Sequence, residues 1–281
     1  MNKIIFALLF SVLFCFENKL PLNKTQSTNS NSSINSMIGI MVQFALEQVD
    51  DPNTTGDGHF LLEQVSEAYN RCNGFIVDRP PHNKAYFESQ MLSVSNYFSN
   101  VSNGQQIFNE IHILDAVYEL PNSMASYSQS DSNLTNAFKD ALYLAKDDLL
   151  EFDNILENSI IIVFHAGIGQ DFAVPLLDPT PYDLSSAYVD SNMLDGWDSL
   201  SELGFNVEHG IILPETQNHI FYDVIEDLFW SETDFCDYQI GLTGIFSLLM
   251  GYALGLPPLY NTDTGDAGVG VFGLMDYGSN N

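Results

Sequence analysis

The chain contains short, uninterrupted hydrophobic runs separated by longer segments with helical periodicity. The runs Met37–Phe44, Ser159–Phe164 and Gly210–Glu215 are rich in Ile and Val, which is typical of strands buried on both faces of a sheet. A less regular segment, Gln105–Val117, favours a further strand or a hairpin. These runs predict a sheet with a buried centre.

Apolar residues recur at helical spacing in two segments, Lys84–Val101 and Ser132–Phe152. In a third segment, Ile245–Leu254, nearly every position is apolar, which predicts a helix buried on all sides. Gly255 and the prolines that follow it end this helix. A weaker pattern in Asn218–Trp230 favours one more helix. Together the strands and helices predict an α+β fold, of α/β type.

The amino-terminal segment has the features of an export signal. Lys3 precedes the apolar run Ile4–Phe16, which is too short to span a bilayer. We therefore expect residues 1–17 to be a signal peptide, residues 18–36 a disordered Asn/Ser-rich leader, and residues 37–281 a single domain. A buried amino-terminal strand or helix is the alternative. The prediction is a secreted or cell-surface protein with no membrane-spanning segment.

The amino-acid composition indicates which classes of partner the protein can bind. The 281 residues include only 8 Lys and Arg against 37 Asp and Glu, and the formal net charge is −29. Such a charge repels nucleic acid and anionic membranes, and it attracts divalent cations. If Cys15 leaves with the signal peptide, Cys72 and Cys236 remain, either paired in a disulfide or as separate buried thiols.

Two carboxy-terminal motifs carry the chemical interpretation. Leu248–Tyr260 reads LLMGYALGLPPLY, and Gly273–Gly278 reads GLMDYG. This order resembles the catalytic centre of the immune inhibitor A family of secreted zinc metallopeptidases, which typically read HEFGHxLGLPDLY before a G-LM-x-x-G segment. Parts of Lys84–Val101 and Phe164–Gly169 are also similar to family segments. The resemblance implies a zincin-like fold with a twisted mixed sheet, a backing helix, an active-site helix and a Met-turn at Met275.

The residues that would carry the family's chemistry are replaced in this chain. By the resemblance, Leu248 and Tyr252 stand where the two zinc-binding His residues would be, Leu249 replaces the general-base Glu, and Pro258 replaces the third ligand. Leu and Pro side chains offer no lone pair, and a phenol is a poor ligand near neutral pH. We therefore expect no zinc, no peptidase activity, and a residual role in structure or in binding a peptide or protein, as in a pseudoenzyme.

Two other functions stay open at this point. His165, after a predicted buried strand, and Glu215 are candidates for an active hydrolase with a different constellation. Asp263 and Asp266 lie in the sequence NTDTGD, which loosely resembles a calcium loop and would suit a calcium-dependent adhesion protein. Turn chemistry explains that loop equally well.

Overall fold

The computed structural model describes residues 34–47, 49, 51–63, 72, 74–171, 180–195, 197, 200–222, 236 and 239–280. Its centre is one mixed sheet of five strands: β1 (Ser36–Gln43), β2 (Glu110–Glu119), β3 (Ser159–Ile168), β4 (Ala187–Val189) and β5 (Gly210–Thr216). The order across the sheet is β2-β1-β3-β5-β4. The first four strands in this order are parallel, and β4 runs antiparallel to β5 at one edge.

The middle parts of the central strands are apolar because helices cover both faces of the sheet. Alternate residues of β3 point to opposite sides: Ile160, Ile162 and Phe164 belong to one core, whereas Ile161 and Val163 belong to the other. All are at most 3% exposed. This alternation confirms that the Ile/Val run is a doubly covered strand rather than part of a helix.

The helices divide between the two faces. Their bounds in chain order are α1 (Lys84–Val101), α2 (Met124–Tyr127), α3 (Asp131–Leu144), α4 (Lys146–Leu149), α5 (Asp153–Leu156), α6 (Ser191–Leu194), α7 (Leu200–Leu203) and α8 (Leu242–Ala253). Helices α1 and α8 contribute to the first core, and α3 packs on the second. Short 3-10 turns lie at Leu150–Phe152, His219–Phe221, Gly270–Phe272 and Tyr277–Asn280.

Three predicted elements differ from the structure. The helix expected over Ser132–Phe152 is divided, because Ala145 leaves the helical conformation (φ −88°, ψ 2°) and separates α3 from α4. The segment expected to be a strand or hairpin is the single strand β2, which begins later, at Glu110. Of the helix predicted over Asn218–Trp230, the described part is the 3-10 turn His219–Phe221, and residues 223–230 lie outside the described residues.

The two remaining cysteines form a disulfide. Cys72 and Cys236 are bonded across 164 residues of sequence, with their Cα atoms 5.6 Å apart. The bond ties a segment before α1 to a segment before α8. Within the described ranges, none of the helices has the length and apolar character needed to cross a membrane. The predicted signal peptide and nearly all of the predicted leader lie outside these ranges.

Candidate functional site

The start of helix α8 is fixed by contacts that its own sequence does not show, whereas its end follows from Gly255. At its start, the N–H of Leu242 donates to the Asp78 carboxylate at 2.7 Å, and Gln90 of α1 donates to the same carboxylate at 2.8 Å. Burial raises the pKa of Asp78, and these hydrogen bonds offset part of that effect. At its end, Gly255 adopts a positive φ of 82°, which ends the helix and turns the chain away.

The middle of α8 has no group that can bind a metal. Leu248 and Leu249 are 0% exposed and belong to the first core. Their side chains fill the position where the sequence resemblance implies a His and a Glu. Because these side chains offer no lone pair, the helix contributes packing there and no chemistry.

Met275 lies against the last turn of α8. A Cβ atom built on Gly251 would overlap the Sδ atom of Met275, so only a glycine allows this approach. The backbone carbonyl of Met275 also accepts a hydrogen bond from the N–H of Leu259 at 2.8 Å. The end of α8, the segment after it and the Met275 turn therefore meet at one place.

Three tyrosines lie close to this meeting point. The hydroxyl oxygens of Tyr252 and Tyr260 are hydrogen-bonded at 2.7 Å, and the ring of Tyr188 on β4 lies 6.3 Å from the Tyr252 ring, centroid to centroid. Tyr252 is half-buried, whereas Tyr188 and Tyr260 are buried. We call these three side chains the tyrosine cleft. It lies between the edge strand β4 and helix α8.

The phenols of the tyrosine cleft stay neutral at ordinary pH. Burial, the hydrogen bond to Tyr260 and the nearby Asp276 carboxylate all raise the pKa of Tyr252 well above its usual value. Burial also raises the pKa of Tyr260, and burial followed by neighbouring carboxylates raises that of Tyr188 to about 12. A tyrosine binds a metal as the phenolate, so these phenols are hydrogen-bonding groups and poor ligands.

The turn after Met275 is organised by Asp276, which is completely buried. Its Oδ2 atom accepts hydrogen bonds from the N–H groups of Gly268, Val269 and Gly270 at 2.7–2.9 Å, and Oδ1 accepts from that of Tyr277 at 2.8 Å. Burial alone would raise the pKa of Asp276, but these four donors outweigh it and lower the pKa. The four backbone N–H groups surround the Asp276 carboxylate as they would a bound anion. These hydrogen bonds fix the conformation of the glycine-rich loop.

The residues at this place do not fit the zinc ion that the resemblance implies. A zinc site needs three or four N, S or O ligands in tetrahedral arrangement. Leu248, Leu249 and Pro258 have no ligating atom, and Tyr252 has a neutral phenol that is already hydrogen-bonded. The arrangement can bind hydrogen-bonding and aromatic groups at its surface.

Glu215, a candidate base, is enclosed by partners. Its Oε1 atom accepts from the N–H of Gly167 and from the Tyr222 hydroxyl, both at 2.7 Å. Its Oε2 atom accepts from the N–H of Leu61 at 2.8 Å and from Nδ1 of His82 at 2.7 Å. All four acceptor positions of this fully buried carboxylate are used, which indicates a structural role.

His82 was not predicted from the sequence. Its Nε2 atom donates to the backbone carbonyl of Asp78 at 2.8 Å while Nδ1 faces Glu215. Both ring nitrogens therefore face an acceptor, and the side chain is fully used in structural contacts. A pairing across 133 residues leaves no local signal in the sequence.

His165, the other candidate, is also completely buried. Its Nδ1 atom donates to the carbonyl of Ala166 at 2.8 Å, and its ring packs 5.6 Å from that of Phe44. Burial lowers the pKa of His165 to about 4. The pairing of His165 with Pro214 in adjacent strands brings it near Glu215, but both side chains are 0% exposed. The structure therefore brings the two together in the core and not at a surface.

The candidate calcium loop is a hydrogen-bonded turn. The side-chain oxygen of Asn261 accepts from the N–H groups of Asp263 and Thr264, and the Thr264 hydroxyl donates to Asp266 at 2.6 Å. Asp263 and Asp266 are both exposed. Among the residues that the structure describes, no group of three or more His, Cys, Asp or Glu side chains is placed to hold a metal ion. These contacts are those of turn chemistry, and calcium binding stays a prediction.

Comparison with known protein families, with curated proteins and with solved structures finds no match to this chain.

Proposed function

We propose that this chain is a metallopeptidase-like protein without zinc or peptidase activity, whose tyrosine cleft binds a peptide or a segment of another protein. The observation that carries the proposal is the filled centre of α8. Leu248 and Leu249 are completely buried, and Tyr252 is hydrogen-bonded to Tyr260. Hydrolysis of an amide by a metallopeptidase needs a metal-activated water and a base, and these positions supply neither.

The arrangement of elements supports a zincin-like frame for this proposal. Helix α1 backs a twisted mixed sheet with one antiparallel edge strand, and α8 follows β5. Met275 then packs against α8 at Gly251. Each of these parts is among those that the carboxy-terminal motifs imply.

The position of β4 supports peptide binding. This strand pairs with β5 along one side and lies at the edge of the sheet. Helix α8 packs against it, and Tyr188 and Tyr252 face each other between the two elements. An extended peptide can add to such an edge through main-chain hydrogen bonds, with side chains seated on aromatic surfaces.

The observed disulfide supports the predicted location outside the reducing cytosol. Disulfides such as Cys72–Cys236 form and persist in oxidising compartments. Secretion or surface display is thus the location that we propose, together with a protein or peptide ligand and no nucleic-acid partner, since the net charge of −29 repels polyanions.

A peptide library tests binding and catalysis together. The full chain is incubated with a degenerate library of short peptides, with and without a chelator, and bound and cleaved peptides are identified by mass spectrometry. We expect selected peptides to be retained intact, the chelator to have no effect, and retention to fall at least about tenfold in Tyr252→Ala. Cleavage that the chelator abolishes would overturn the proposal, as would retention that Tyr252→Ala leaves unchanged.

A further inference from the structure

A cavity lies beside the starts of the central strands, and none of the three tyrosines of the tyrosine cleft lines it. Its volume is about 430 Å³. Ile34 precedes β1, Ser159 begins β3 and His209 precedes β5, and all three line it. Because these strands are parallel, their starts meet at one edge of the sheet. None of Leu248, Leu249, Tyr252, Pro258 or Met275 is among its lining residues.

The cavity combines apolar walls with an acidic rim. Its walls are aliphatic and aromatic side chains, namely Leu150, Leu156, Ile161, Phe205 and Val207. Asp153, Glu157 and Glu208 line its exposed rim, and no Lys or Arg lines it. Within the described part of the chain, none of the three carboxylates forms an ion pair. The rim therefore carries uncompensated negative charge.

His209 is one of the polar residues that line the cavity, together with Ser159 and Asn206. It is only 9% exposed, and its ring lies 6.0 Å from that of Tyr188. Within the described part of the chain its imidazole forms no hydrogen bond, and its ring nitrogens are not among the fully buried atoms, so they keep access to solvent. Burial lowers the pKa of His209 more than the Glu208 charge raises it, so the neutral imidazole offers a lone pair.

We propose that this cavity binds a small organic cation, namely an aliphatic amine. The ammonium group lies between His209, which accepts a hydrogen bond, and the rim carboxylates, while the hydrocarbon chain lies on the apolar walls. An ammonium group has donors and no acceptor, which suits a cavity lined by an imidazole and three carboxylates. The inference does not depend on the proposed peptide binding.

The size and lining of the cavity favour an amine over a metal ion. About 430 Å³ is within the range of roughly 300–1,000 Å³ that small-molecule sites occupy. A hydrated divalent ion gains nothing from apolar walls, and His209 and the rim carboxylates do not form a metal-binding group. A di- or triamine can place its hydrocarbon chain on the apolar walls and its ammonium groups beside the rim carboxylates.

Calorimetric titration of the full chain with spermidine at 0.15 M salt tests the proposal, beside the neutral 1,5-pentanediol and Mg²⁺. We expect one spermidine site per chain, no heat of binding from the diol, and no displacement by Mg²⁺ at equal ionic strength. The substitution His209→Phe keeps an aromatic side chain but removes both ring nitrogens. We expect it to weaken spermidine binding about tenfold. Glu157→Gln, on the exposed rim, is expected to weaken it about two- to fivefold.

Glu119→Gln is the matched control, because Glu119 is an exposed carboxylate on β2 and does not line the cavity. Equal loss of affinity in Glu119→Gln and Glu157→Gln would show general attraction to an acidic protein and would overturn the proposal. No spermidine binding by the wild-type chain would also overturn it. A thermal melt shows whether His209→Phe is folded. If it is not, Glu157→Gln still tests the site, because Glu157 is exposed and its substitution does not disturb the core.

Discussion

The hydroxyl oxygens of Tyr252 and Tyr260 lie 2.7 Å apart and form a hydrogen bond between helix α8 and the segment that follows it. Tyr252 stands where the motif resemblance implies a zinc-binding His. Because burial and the Asp276 carboxylate raise the pKa of Tyr252, the bond joins two neutral phenols. A position that the resemblance assigns to metal binding therefore closes a turn in this chain.

Tyr252→Phe removes this hydrogen bond and keeps the aromatic ring. We expect a loss of about 1 kcal/mol in the free energy of unfolding, because the hydrogen bond between Tyr252 and Tyr260 is removed. Thermal melting should show a decrease in Tm of about 2–4 °C. Tyr97→Phe is the control, since Tyr97 is 38% exposed and its described contact is the ring of Phe98. Equal shifts in both variants would contradict the assignment.

Gly251→Ala tests the packing of Met275 against α8. The new methyl group overlaps the Met275 Sδ atom, and we expect a loss of about 1–3 kcal/mol in unfolding free energy. Met275→Ala alone leaves a cavity and costs about 2–5 kcal/mol. In the double variant the methyl group enters the vacated space, so its loss should be smaller than the sum of the two. Additive losses in denaturant titrations would exclude the contact.

Asp276→Asn tests the carboxylate that holds the glycine-rich loop. An amide keeps one acceptor oxygen and turns NH₂ donors toward N–H groups, so we expect a loss of about 2–4 kcal/mol. Asp263→Asn in the same region should change little, because the Asp263 side chain is exposed. Urea unfolding of the two variants at pH 7 measures the difference.

The lowered pKa of Asp276 gives this contribution a defined pH dependence. The folded chain holds the proton less tightly than the unfolded chain, so the stabilisation is complete above the unfolded pKa of about 3.9. It is lost as the pH falls through the lower, folded pKa. The difference between wild type and Asp276→Asn should therefore shrink only below about pH 4.

Asp171 is expected to have the opposite pH dependence. Burial raises its pKa to about 6, although hydrogen bonds from Ser186 and Gln217 lower it in part. The folded chain then binds the proton more tightly than the unfolded chain, and stability falls as the pH rises from about 4 to 6. Asp171→Asn removes this loss. We expect the variant to gain up to about 2–3 kcal/mol over wild type at pH 7 and nothing near pH 3.

A pH series of chemical unfolding curves for wild type and Asp171→Asn checks this prediction. A gain of equal size at pH 3 and pH 7 would show that the Asp171 charge is not responsible.

Local sequence patterns were sufficient to predict the helices and strands whose buried residues follow one another in the sequence. The Ile/Val run of β3 and the apolar α8 were predicted because their buried residues form continuous apolar segments of the sequence. The break at Ala145 was missed because the apolar periodicity continues through it. Strand β4 was missed because three residues carry little pattern, and its conformation comes from pairing with β5.

The same difference separates the predicted and the missed parts of the site. The motif resemblance places Leu248 and Met275 at one site, and in the structure Met275 packs against α8 at Gly251. The pairing of His82 with Glu215 joins residues 133 positions apart, and no local pattern predicts it. The role of Asp276 had a weak signal, since an acidic residue follows a run of glycines whose N–H groups need an acceptor.

The zinc content of the purified chain tests the central claim most directly. Wild type and a variant with the implied ligands restored (Leu248→His, Leu249→Glu, Tyr252→His and Pro258→Asp) are prepared with excess zinc, dialysed and analysed by elemental mass spectrometry. We predict well under about 0.1 zinc per wild-type chain, and more in the variant if it folds, because only the variant has imidazole and carboxylate ligands. About one zinc per wild-type chain, retained through dialysis, would contradict the account.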